Sequence, residues 1–181
     1  MTGLPSVRAA RPAALVLAAC LLLSGCGGSD DDKPKLKANE TDMAFATDML
    51  DHHERAIDAA DLAPRLAEDR EIRRAAQDLV LLQSPESQVL RVVRRTLADG
   101  GVEPGDLGVP RSELDPAELR AADDFDAAYA TEMIAHHEAA IRMSAAERRA
   151  GIHEELRRMS GDITDLARFQ IRQLERWQRG G

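Results

Sequence analysis

The chain has 181 residues, a formal net charge of −8, 31% charged residues and only 3% aromatic residues. This length suits one ordinary domain, and the scarcity of aromatic residues argues against a β-sandwich. The negative charge argues against the basic surface that nucleic-acid binding requires.

The N-terminal segment has the features of an export signal. Two arginines precede the apolar run 13–23, which is long enough for a signal peptide and too short to span a bilayer. The run ends in a Leu-Ser-Gly-Cys sequence that resembles the bacterial lipobox, whose cysteine, here Cys26, receives a diacylglycerol. We therefore predict a lipoprotein signal peptide over 1–25 and an exported domain held by its lipid at the extracytoplasmic face of the cell membrane. The alternative is a cleaved secretory signal beside a chance cysteine.

A hydrophilic segment over 26–38 separates the signal from the domain. It is rich in glycine, serine, proline and charge, which is the composition of a flexible tether. No cysteine follows Cys26. The domain, predicted over 39–179, therefore has neither a disulfide framework nor a thiolate metal site.

Capping residues, prolines and glycines predict four helices in this domain. The first begins between residues 39 and 42 and runs to about 63, before a proline. The second covers about 68–98 and contains Pro85, which predicts a kink. The third runs from 116 to about 150, because an Asp-Pro pair is a typical helix start. The fourth covers about 153–178.

An internal repeat organises these helices. Residues 42–57 (DMAFATDMLDHHERAI) recur 84 positions later at 126–141 (DAAYATEMIAHHEAAI), with ten of sixteen residues identical. The repeat indicates a duplication, with one helical hairpin in each half, about 39–99 and 115–179. Because an isolated hairpin leaves its apolar stripe in water, we predict an all-α four-helix bundle in which the two halves pack together.

The repeated segment carries unusual side chains on its inward face. At about 100° per residue, the two adjacent histidines of each copy lie on either side of a methionine, and all three point toward the core. The residues are Met49, His52 and His53 in the first copy and Met133, His136 and His137 in the second. Four imidazoles on core faces need partners, because buried polar groups cost free energy.

Metal coordination is one explanation for this set. Imidazole and thioether are neutral ligands, and the Met-x-x-His spacing places a sulfur and a nitrogen one helical turn apart. The thioether favours Cu(I) or Ag(I) and imidazole also suits Cu(II), whereas zinc and nickel remain alternatives. Affinity is expected to fall below about pH 6, because imidazole must be neutral to bind. Acidic residues that could support the ligands are Asp42, Asp48, Asp126 and Glu132.

Other interpretations of the same residues stay open. Methionine is often core filler, and a duplication copies idle residues as faithfully as useful ones. A metal-free adaptor that docks a partner protein is therefore the alternative function. A ferritin-like redox enzyme is disfavoured, because di-iron bundles use Glu-x-x-His where this chain has Met-x-x-His. We expect a binding protein without enzymatic activity, and its oligomeric state stays open.

The two copies of Met-x-x-His-His-x-x-Ala-Ile, at 49–57 and 133–141, resemble the bacterial family known as "domain of unknown function 305". The resemblance implies a ferritin-like four-helix bundle, export, and copper binding, which some members show. It implies as metal ligands the residues Met49, His52, His53, Met133, His136, His137 and Met143. Three positions depart from the family pattern. Ala59 stands where Met143 has its repeat equivalent, and in the fourth helix Gln170 replaces an acid and Leu174 replaces a methionine.

Overall fold

The computed structural model describes residues 37–180, and within them the secondary structure is helical, without strands. The predicted signal peptide, Cys26 and most of the predicted tether lie outside the described residues. Lys35–Gly181 form one compact unit with hydrophobic clusters of its own, as an independently folding domain requires. None of the described helices combines the length and the apolar character needed to cross a membrane.

Four long helices and two short ones make up the described part of the chain. They are α1 (Glu40–Ala60), α2 (Ala63–Leu66), α3 (Arg70–Asp99), α4 (Pro116–Ala121), α5 (Phe125–Ala150) and α6 (Glu154–Gln178). α1 packs against α3, α5 packs against α6, and the two hairpins meet where α1 contacts α5. The predicted all-α four-helix bundle of two hairpins is thereby confirmed.

Two of the predicted helices are shorter than expected. The first ends at Ala60, and Pro64 lies in the first turn of α2, where its missing N–H group is tolerated. The third is interrupted, since Asp124 caps a new helix by accepting a hydrogen bond from the Ala127 N–H at 3.0 Å. The break leaves Leu119 of α4 buried in the core. By contrast, α3 continues through Pro85, which is exposed.

Two aspartates connect the halves of the repeat at opposite places in the bundle. Asp42 at the start of α1 accepts hydrogen bonds from two backbone N–H groups just before α6, at 3.0 and 2.9 Å. Asp126 at the start of α5 accepts hydrogen bonds from two backbone N–H groups just before α3, at 3.0 and 2.7 Å. The donors are themselves 84 residues apart, so each half supplies a carboxylate to the backbone that enters the second long helix of the other half.

Asp126→Ala is expected to lower the free energy of unfolding by about 2 kcal/mol, because two backbone donors lose their acceptor. For a domain of this size, this corresponds to a fall in Tm of about 4–8 °C. A thermal melt followed by circular dichroism measures the change. The control is Asp162→Ala, an exposed aspartate of α6. Equal melting temperatures for Asp126→Ala and Asp162→Ala would show that the two hydrogen bonds to Asp126 do not stabilise the fold.

Candidate metal centre

Four histidine rings form a row across the interface of α1 and α5. The rings of His52 and His136 stack face to face, with centroids 3.5 Å apart and planes 6° from parallel. His53 lies 6.2 Å from His52, and His137 lies 5.8 Å from His136. All four side chains are buried, in agreement with the inward face that the helical periodicity predicts.

Burial keeps three of these rings neutral. It lowers the pKa values of His52 and His136 well below their ordinary value, and the neighbouring histidines add to the effect. Burial, together with His53, lowers the pKa of His137 to about 4. At neutral pH each of these rings therefore retains one nitrogen lone pair, which is the form that binds a metal.

Hydrogen bonds orient two of the rings. His53 Nε2–H donates to Glu86 Oε2 at 2.8 Å, which leaves His53 Nδ1 buried without a partner. His136 Nδ1 lies 3.3 Å from Ser112 Oγ, and its Nε2 is buried without a partner. His52 Nε2 is also buried and unpartnered. A ring held through one nitrogen with the other nitrogen free is the usual arrangement of a histidine ligand.

The three methionines of the predicted site fall into two hydrophobic clusters. Met49 and Met143 belong to the cluster that contains Phe45, and Met133 belongs to the cluster that contains Tyr129. All three are at most 1% exposed. The predicted sulfur ligands are therefore divided between two hydrophobic clusters.

A small cavity adjoins the second half of the site. Its volume is about 20 Å³, which is room for one water-sized particle. Met133, His137, Tyr129 and Gln170 line it, and the Tyr129 hydroxyl is buried without a partner. Space and unpaired donor atoms are thus present beside one of the predicted Met–His pairs.

The four acidic residues predicted to support the ligands have other environments. Asp48 Oδ1 lies 2.7 Å from Arg111 Nη2, and burial raises the pKa of Asp48 while Arg111 opposes the shift. Glu132 is exposed on α5. Asp42 and Asp126 accept hydrogen bonds from the backbone just before α6 and α3, as described above. The prediction that these four residues orient the histidine rings therefore gains no support, because the three aspartates bind other groups and Glu132 faces solvent.

Sequence reasoning missed the acid that does contact a ring, Glu86 of α3. The repeat held a signal for it, because Gln170 stands 84 positions after Glu86 and lies beside His137 in the second half. It also missed Ser112, which lies in the loop between α3 and α4 and contacts His136. In the first half, His53 is thus hydrogen-bonded to a carboxylate, whereas in the second half the amide of Gln170 lies beside His137.

Among the described residues, no three or more histidine, aspartate and glutamate side chains are grouped so that they could hold one ion. The stacked pair explains why, since imidazole lone pairs lie in the ring plane. Parallel rings such as those of His52 and His136 direct their lone pairs side by side and not toward a common point. Binding of one ion by both rings therefore requires at least one ring to rotate.

The fold and the site define a duplicated four-helix bundle with a buried cluster of histidine and methionine. Residues 42–178 match the model of the family "Domain of unknown function (DUF305)", and the chain belongs to this family. A search of curated protein sequences found no match.

Several solved structures share the fold. CopM in the Cu(I)-bound form is 26% identical with a TM-score of 0.67, over 77% of this chain and 96% of that chain. CopM in the Ag-bound form, obtained by co-crystallization, gives the same identity, coverage and TM-score of 0.67. A DUF305 fragment from Deinococcus radiodurans is 25% identical with a TM-score of 0.62, over 76% of this chain and 95% of that chain. Metal binding thus occurs among proteins of this fold at this level of similarity.

Proposed function

We propose that the protein binds copper through histidine and methionine side chains, and buffers the ion or hands it on without catalysing a reaction. The observation that carries the proposal is the stacked pair His52–His136, two buried rings whose Nε2 atoms have no partner. Such atoms cost free energy unless something binds them. Copper and silver in CopM, at 26% identity, support a soft metal as that partner.

The proposed ligands are those that the repeat and the family resemblance indicate. Thioether sulfur prefers Cu(I) and Ag(I), and neutral imidazole accepts Cu(I) and Cu(II). Glu86 and Ser112 would fix the orientation of His53 and His136, so that one nitrogen of each ring stays available. The full proposed set is Met49, His52, His53, Met133, His136, His137 and Met143.

We further propose that the domain works outside the cytoplasm, anchored by lipid at Cys26. The support is the sequence of an apolar run that ends in Leu-Ser-Gly-Cys, followed by a hydrophilic spacer. A copper-binding domain in this position would meet incoming ions before they reach the membrane.

The test is the copper content of the purified Lys35–Gly181 unit after copper exposure and desalting. The double variant His136→Ala/His137→Ala is expected to retain less copper per chain than the wild type, with an unchanged helical circular dichroism spectrum. Elemental analysis with Cu(I) under reducing conditions, and in parallel with Zn²⁺ and Ni²⁺, identifies the preferred metal.

The matched control is His153→Ala, because His153 caps α6 and lies outside the histidine row. It is expected to leave the copper content unchanged. Copper retention by the double variant equal to that of the wild type would show that the ligand assignment is wrong. A wild-type protein that retains no metal would instead favour the metal-free adaptor.

A further inference from the structure

The outward face of α3 carries an apolar stripe. Leu81 is 71% exposed, Val92 65%, Leu82 42% and Val89 36%. The corresponding face of α6, 84 residues later, is mostly polar, with Asp165, Gln173 and Arg176 at three of the four equivalent positions. The stripe is therefore a property of α3 and not of the repeat. Exposed apolar side chains grouped on one helix in this way indicate a candidate interaction site.

Two residues of the stripe, Leu81 and Val92, belong to a longer seam along α3 with alternating spacings of four and three residues, and Leu82 and Val89 lie to one side of it. All eight seam residues are exposed: Arg74, Asp78, Leu81, Pro85, Gln88, Val92, Arg95 and Asp99. An average spacing of 3.5 residues is the period with which one helix packs lengthwise against another. The seam extends over about 37 Å at 1.5 Å per residue. In the described structure no other helix covers this face.

The seam is complementary to itself when its direction is reversed. Counted from its two ends, Arg74 corresponds to Asp99 and Asp78 corresponds to Arg95. The apolar residues Leu81 and Val92 correspond in the same way. In an antiparallel pair, each arginine therefore faces an aspartate, Leu81 faces Val92 on both sides of the centre, and Pro85 faces Gln88 at the centre. In a parallel pair, like charges would face each other.

We propose that α3 docks a second copy of this chain, antiparallel and about a two-fold axis between residues 86 and 87. Such an interface is isologous, since the same seam serves both copies. Within one chain, Arg95 Nε and Asp99 Oδ2 lie 3.8 Å apart and their side chains are 85% and 75% exposed, so this ion pair is weak and free to exchange. One helix per copy gives a small interface, so the dimer is a weak, reversible one.

Sedimentation velocity of the Lys35–Gly181 unit, from micromolar to sub-millimolar concentration, tests the proposal. The wild type is expected to show a concentration-dependent monomer–dimer equilibrium. Leu81→Glu/Val92→Glu places glutamates opposite each other at both Leu81–Val92 contacts of the dimer and is expected to raise its Kd by about tenfold or more. The matched control is Phe169→Glu on α6, which replaces a 49% exposed residue at the repeat equivalent of Pro85 and is expected to leave the Kd unchanged.

A charge exchange tests the antiparallel register. Asp78→Arg alone and Arg95→Asp alone each place like charges opposite each other and are expected to weaken the dimer, whereas the double variant restores it. A wild type that stays monomeric throughout, a dimer insensitive to Leu81→Glu/Val92→Glu, or a double variant weaker than both single variants would overturn the proposal. Cosedimentation of monomeric wild type with anionic vesicles, lost in Leu81→Glu/Val92→Glu, would assign the stripe to lipid and also overturn it.

Discussion

Metal-free protein is expected to lose stability steeply as the pH falls below 6.5, because buried neutral histidines take up protons when the chain unfolds. Their folded-state pKa values lie below the ordinary value of 6.5, and that of His137 is about 4. The unfolded state therefore binds more protons than the folded state in this range. The stabilisation is complete above pH 6.5 and, for His137, is lost progressively down to about pH 4. Each of the three rings contributes up to about 1.4 kcal/mol per pH unit.

Urea unfolding at a series of pH values measures this slope. His52→Gln/His136→Gln/His137→Gln removes the three buried rings and is expected to reduce the fall in the free energy of unfolding below pH 6.5. His153→Gln, at the α6 cap, is the control and is expected to show the same fall as the wild type. If the free energy of unfolding of the triple variant and of the wild type fell equally with pH, the buried histidines would not be the cause.

Glu147→Gln is expected to stabilise the protein at alkaline pH. Glu147 is completely buried, and burial, with the neighbouring Asp42 carboxylate, raises its pKa from 4.5 to about 8. The absence of a side chain at Gly151 leaves room for the Glu147 carboxyl group, because a Cβ atom at residue 151 would collide with it. The folded state therefore holds a proton that the unfolded state releases at pH 4.5. The stabilisation that protonated Glu147 gives the wild type is fully present below pH 4.5 and decreases as the pH rises to about 8.

The variant lacks the titrating group, so its stability relative to the wild type should increase by up to about 1.4 kcal/mol per pH unit across that window. Chemical denaturation at pH 4.5 and at pH 8 gives the two differences to compare. Glu138→Gln, an exposed glutamate of α5, is the control and should show no such trend. An equal difference between Glu147→Gln and wild type at both pH values would contradict the raised pKa.

Local signals in the sequence account for most of the fold. Periodicity, caps and glycines predicted the long helices because these features act within a few residues. The break between α4 and α5 was missed because two helix starts compete there, the Asp115-Pro116 pair and the Asp124 cap. Burial of Leu119 decides in favour of two helices, and such burial depends on the assembled core.

The inward orientation of the predicted histidines followed from the sequence, and the partners of their rings did not. Helical geometry alone turns both histidines of each repeat inward, and all four are buried. The stacking of His52 on His136 depends on how α1 crosses α5, which no local pattern specifies. Glu86 and Ser112 reach the rings from 33 and 24 residues away in sequence, and only the tertiary structure brings them there.

Neither half of this chain supplies the carboxylate that binds the backbone before its own second long helix. Separated from each other, the halves would leave the donors before α3 and α6 without the carboxylates of Asp126 and Asp42. A single-copy ancestor would have had to obtain these bonds from a twin molecule, exchanging one aspartate for the other. In the duplicated chain this exchange takes place within one molecule, so assembly does not depend on meeting a twin. The two halves are not identical, and they differ for example at Glu86 and its repeat equivalent Gln170.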